Sequence, residues 1–211
     1  MTNKTLTGTL EEEHRHIETV VALLPMLIEV IEAGRRVEAG LFREIVEFMR
    51  TFTDRCHQEK EEVLLFPVLA QKGVPVAGCS LGALTHEHQQ GRALVSGLAE
   101  AAQAYARGDA VAIASLVENL RGIAELYPHH IWREDYLLFP MMNMVLDDDD
   151  EKDLLEKFAQ ADATMGHDTD RRFEEMALEL ESLVLQASAE SRLALRRSSS
   201  TVPSLWMSRP G

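Results

Sequence analysis

Cys56-His57-Gln58-Glu59-Lys60-Glu61-Glu62-Val63-Leu64-Leu65-Phe66-Pro67 has a second copy further along the chain, His129-His130-Ile131-Trp132-Arg133-Glu134-Asp135-Tyr136-Leu137-Leu138-Phe139-Pro140. The histidine, the glutamate four residues on and the closing Leu-Phe-Pro recur at a constant offset of 73 residues. A repeat without slippage marks an internal duplication of one supersecondary unit. Another Glu-His pair precedes each copy: His14 of Glu13-His14 lies 43 residues before His57, and His88 of Glu87-His88 lies 42 before His130. The unit is therefore about one helical hairpin long, and two such hairpins make a bundle.

Apolar residues recur at threes and fours along almost the whole chain and nowhere alternate at two, so the class is all-α. The pattern predicts an antiparallel four-helix bundle with an additional C-terminal helix and a disordered tail. A first helix opens at Thr9 with Glu12 as a capping box, buries Ile17, Val20, Leu24, Leu27 and Ile31, kinks at Pro25 and stops at Gly34. A second runs from Leu41 to Ala70, and Gly73 to Gly78 form a loop. A third runs from Leu81 to Ala106. Beyond the Arg107-Gly108-Asp109 turn, a fourth extends to Leu146. The acidic run Asp147 to Glu151 favours the positive end of a fifth helix reaching Gln186; it is not an EF-hand, because Lys152 stands where that loop needs glycine. Residues 1–146 are thus expected to be the bundle, 147–187 an amphipathic helix packed outside it, and 188–211, rich in Ser and Arg, a disordered tail containing Trp206.

With 21 Lys and Arg against 35 Asp and Glu, the net charge of −14 excludes a nucleic-acid partner, which needs a basic face. No signal peptide is visible between Met1 and Leu10 and no run is apolar enough to span a membrane, so the expectation is a cytoplasmic protein without a membrane partner. Two cysteines, Cys56 and Cys79, are too few to frame a secreted disulfide fold. The oligomeric state is not specified by the sequence.

Residues four apart on a helix share a face, so His57 with Glu61 and His130 with Glu134 can each grip one ion. In the fourth helix Leu116, Leu120, Ile123, Tyr127, His130, Glu134, Leu137 and Met141 make one inward stripe. A buried carboxylate costs several kcal/mol unless a cation compensates it. In the third helix His88 shares the stripe of Leu84, Gly91, Val95 and Leu98, whereas His86 lies on the face of Gln89 and Gln90. His14 lies one turn before Ile17, His16 is offset, and His129 is turned about 100° from the inward stripe. The expected metal ligands are His14, His57, Glu61, His88, His130 and Glu134.

At these residues the chain resembles the hemerythrin-like, HHE cation-binding family, in particular its bacterial members with the pattern H, HxxxE, H, HxxxE. Glu13-His14-Arg15-His16-Ile17, Lys60-Glu61-Glu62 through Pro67, Gly73-Val74-Pro75, Glu87-His88-Gln89-Gln90-Gly91-Arg92 and His130 through Met141 carry the likeness, over roughly residues 8 to 145. The resemblance implies two non-haem iron ions bridged by the two carboxylates and by oxo or hydroxo, used with O2, peroxide or nitric oxide. It names no catalytic residue. Imidazole and carboxylate donors also admit manganese or zinc. Oxygen-carrying members use five histidines, whereas four face inward here, which argues against simple oxygen transport; His86 or Glu62 would need a shifted helix to add a donor. Tyr127, one turn before His130, is placed to hydrogen-bond a bound oxygen species. The readings that follow are a protein that binds, senses or scavenges such a ligand or stores iron, a di-iron enzyme that dismutates peroxide or delivers iron to iron–sulfur centres, and a helical interaction module with structural metal.

Overall fold

A computed structural model describes residues 5–76, 81–166 and 169–199; Cys79 and Trp206 lie outside them. Among the described residues the chain forms six helices and no strands. We label them α1 (Leu6–Glu32), α2 (residues 39–71), α3 (Leu81–Ala106), α4 (residues 112–145), α5 (Asp148–Met165) and α6 (Thr169–Ser199). The first four form the antiparallel bundle, with the duplicated hairpins being α1–α2 and α3–α4. None is long and apolar enough to cross a membrane.

α1 begins one turn earlier than the capping-box pattern suggests. Thr5 is its N-cap, accepting from the Gly8 amide, while Thr9 lies inside the helix and donates its hydroxyl to the Thr5 carbonyl. The earlier start buries Leu6 and Leu10. α1 passes Pro25 unbroken and ends at Gly34, whose φ of 71° closes the turn in the left-handed region that favours glycine.

α2 and α4 are not α-helical throughout. Met49–Gln58, Lys60–Leu65 and Glu134–Leu138 are π-helical, and the last two end where the Phe66-Pro67 and Phe139-Pro140 steps begin. A proline ring strikes the carbonyl four residues back in α geometry, and a wider turn ahead of it relieves that clash. The extra residue in the turn shifts the inward face. Beyond Glu134 the core positions are Leu138, Phe139 and Met142; Leu137 is 55% exposed and Met141 only half-buried, which corrects the straight stripe read from the sequence.

The predicted fifth helix is two helices. Gly166, with φ of 122°, follows α5, and α6 starts at Thr169. Asp147 and Asp150 form the capping box that opens α5. Leu154 and Phe158 of α5 join a core cluster with Leu6, Leu10, Leu65, Leu69 and Phe139, and α6 lays Phe173, Ala177, Leu180 and Val184 against α1 and α2. Phe173 packs on Phe48 and Phe52 at centroid distances of 5.9 and 5.4 Å; fully burying such a ring contributes about 1.5–3 kcal/mol. Composition ended this helix before Ser188, whereas it runs on to Ser199 with Ser188 and Ser191 buried. The two core clusters lie at opposite ends of the bundle, and between them sits a layer of buried histidines and glutamates.

Candidate metal centre

Each hairpin contributes three side chains to that layer. α1 brings His14, α2 His57 and Glu61, α3 His88, α4 His130 and Glu134, and every one of the six is at most 2% exposed. His86 and His129 are exposed and His16 is half-buried, edge-on to Phe52, so none of these joins the layer. The structure brings all six expected ligands together.

The imidazoles pair across each hairpin. Nε2 of His14 lies 3.1 Å from Nε2 of His57, and Nε2 of His88 lies 3.0 Å from Nε2 of His130. The glutamates sit between the pairs: Glu61 Oε2 is 3.6 Å from His57 Nε2 and 3.5 Å from His88 Nε2, and Glu134 Oε2 is 3.1 Å from His14 Nε2 and 3.3 Å from His130 Nε2. His14, His57, Glu61 and Glu134 form one set whose donor atoms all lie within 4.8 Å of one another, and Glu61, His88, His130 and Glu134 form another. Both glutamates belong to both sets.

Each outer nitrogen is fixed by a carboxylate. His14 Nδ1 meets Asp135 at 2.6 Å, His57 Nδ1 meets Glu13 at 2.9 Å, His88 Nδ1 meets Glu62 at 2.7 Å and His130 Nδ1 meets Glu87 at 3.0 Å. A carboxylate at Nδ1 orients the ring and leaves Nε2 as the inward donor. Behind each carboxylate stands a cation: Arg15 on Asp135, Lys60 on Glu13, Arg92 on Glu62 and Arg133 on Glu87. This outer ring was missed in the sequence, although every member of its carboxylate layer is the chain neighbour of a ligand: Glu13 of His14, Glu62 of Glu61, Glu87 of His88, Asp135 of Glu134.

The fit to a cation rests on what these groups lack. All four oxygens of Glu61 and Glu134 are buried without a hydrogen-bond partner, a burden of about 1–3 kcal/mol for Glu61, whose nearest imidazole nitrogens stand 3.5 and 3.6 Å away. Burial and the neighbouring Glu134 raise the Glu61 pKa well above the carboxylate range; for Glu134 burial acts the same way, but the histidines around it hold its pKa down. Glu61 therefore holds a proton more tightly than an ordinary carboxyl group, and Glu134 holds its charge. Burial pushes His57 and His130 down to about 4. Burial also opposes charge on His14, yet Asp135 and Glu134 outweigh it and push its pKa up to about 9. Protons thus balance the cluster where metal charge would. Imidazole and carboxylate donors without a thiolate suit iron, manganese or zinc; Cys56 lies outside, its thiol 3.7 Å from Asp162.

Tyr127 is buried beside this layer, its ring edge-on to His130 at 6.2 Å. A Cβ at Gly91 would stand 2.6 Å from the Tyr127 hydroxyl oxygen, so only glycine leaves room for it. Burial and then the charge of Asp54 raise the Tyr127 pKa, and the phenol keeps its proton.

Comparison with known proteins adds the following. The family model described as the Hemerythrin HHE cation binding domain matches residues 5–142. Uncharacterized proteins of Mycobacterium tuberculosis and Mycobacterium bovis are each 27% identical over 149 residues, covering 71% of this chain. The chain spans 58% of the length of these curated relatives. No solved structure matches.

Proposed function

The chain belongs to the hemerythrin HHE cation-binding family, and from that membership we propose that it holds two iron ions, one between His14 and His57 and one between His88 and His130, with Glu61 and Glu134 serving both. The supporting observation is the four buried carboxylate oxygens without hydrogen-bond partners, set among four inward imidazole nitrogens. Bound iron supplies redox and Lewis-acid chemistry to a small oxygen or nitrogen ligand. The chain does the rest: its two core clusters exclude bulk water, the Nδ1 carboxylates hold the imidazoles in place, and Tyr127 offers a hydroxyl proton at the edge of the layer.

The role is to bind, sense or scavenge O2, peroxide or nitric oxide. The test is to add each of the three to the ferrous-loaded chain and follow its absorption spectrum. One of them is expected to change the spectrum at about one equivalent per chain, with the product shorter-lived in Tyr127→Phe. Sustained consumption of peroxide over many equivalents would identify an enzyme instead, and no spectral response to any of the three would refute ligand binding.

A further inference from the structure

The duplicated frame sets His57, Glu13 and Lys60 against His130, Glu87 and Arg133, and the two triads differ in what lies over them. In each, the ring Nδ1 meets the carboxylate and the carboxylate meets the cation. The Arg133 side chain is 45% exposed and, with Glu87, lines an open groove of about 770 Å³ between α3 and α4. The Lys60 side chain is 1% exposed. α5 is what covers it. Phe158 places its ring 5.5 Å from the ammonium, and Asp162, one turn further along α5, accepts from it at 2.8 Å.

The remaining two cations are on the surface as well: Arg15 is 56% exposed, and Arg92, which also pairs with Asp54, is 35% exposed. Lys60 is thus the buried one of the four. A charge pair shielded from water interacts more strongly than one that water reaches, so the buried Lys60 acts on Glu13 more strongly than the half-exposed Arg133 acts on Glu87. Alone, it would draw the charge of Glu13 away from His57. Asp162 shares the ammonium and leaves Glu13 its hold on the His57 Nδ1 proton.

We infer that Asp162 and Phe158 of α5 are positioning residues for the metal ion held by His14 and His57, and that they make this position unlike the one held by His88 and His130. The inference rests on the metal-centre reading above. It gives α5, which lies beyond the matched residues 5–142, a task in the centre: it is the cover of one half, where the duplicated half opens to solvent.

The test is anaerobic titration of the metal-free chain with ferrous iron, reading bound iron and the Mössbauer spectrum. The wild-type chain is expected to show two quadrupole doublets of equal area. Asp162→Asn, nearly isosteric at a half-buried site, should weaken one ion about 10-fold and move one doublet; Asp162→Glu should restore most of the affinity. Arg133→Gln should move the other doublet. A single doublet in the wild-type chain, equal weakening of both ions, or an unchanged Asp162→Asn overturns the inference alone, whereas a wild-type chain that binds no iron overturns the metal-centre reading together with it.

Discussion

Glu61→Leu should make the metal-free protein more stable and the iron-loaded protein less so. Both Glu61 oxygens are fully buried without a hydrogen-bond partner, and such a group costs about 1–3 kcal/mol that an apolar side chain of similar length does not. Leucine fills the volume, so little cavity term is added. At about 2–4 °C per kcal/mol for a chain of this size, the metal-free variant should melt about 2–12 °C higher. The sign of the pH dependence follows from the raised Glu61 pKa. Above its ordinary value of 4.5 the unfolded chain has lost this proton while the folded chain keeps it, so the contribution of Glu61 to stability falls as pH rises. The advantage of leucine should therefore widen from about pH 5 to about pH 8. With iron at about 1,000 times its dissociation constant the wild-type chain gains about 4.1 kcal/mol that the variant forgoes, more than the advantage of about 1–3 kcal/mol that leucine brings, and the order of melting reverses. Thermal melts of both chains, with and without ferrous iron at both pH values, check this. A metal-free Glu61→Leu that melts below the wild type at the higher pH would refute the reasoning.

His88→Ala should lose far more iron than His86→Ala, and His130→Ala more than His129→Ala, since only the first of each pair is buried in the layer; bound-iron analysis after desalting reads it, and equal losses within a pair would contradict it. Gly91→Ala sets a Cβ 2.6 Å from the Tyr127 hydroxyl oxygen, and a melt lowered by about 1–3 kcal/mol is expected as the ring is displaced; an unchanged melt would mean that the ring has slack. Iron loading at pH 7 should release protons, because the metal-free chain keeps one on His14, raised to about 9. Calorimetric titration in buffers of different ionisation enthalpy measures this, and a heat independent of buffer would contradict it.

The ligands were legible because a duplicated frame and helix periodicity both point at them: His88 rather than His86, and His130 rather than His129, follow from which face carries leucine and isoleucine. Periodicity assumes an ideal helix, and that is where it failed. The π turn at Glu134–Leu138 adds a residue and moves the inward face from Leu137 to Leu138. The outer carboxylates are not legible in the sequence because a charged residue beside a ligand also reads as a solvated face; only the fold shows that Glu13 reaches a histidine 44 residues away on another helix. The start of α1 was misplaced because Thr5 and Thr9 offer equivalent caps one turn apart, and burial of Leu6 and Leu10 selects the earlier. The break at Gly166 interrupts an apolar periodicity that otherwise runs on through both helices, so the sequence reads as one helix where the chain turns.

Metal analysis of the chain loaded anaerobically with ferrous iron and then desalted tests the centre most directly. Two tightly held irons per chain, falling toward none in both Glu61→Ala and Glu134→Ala, are the predicted result. No retained metal, or one iron held as tightly as before in either glutamate variant, would contradict a centre in which both carboxylates serve both ions.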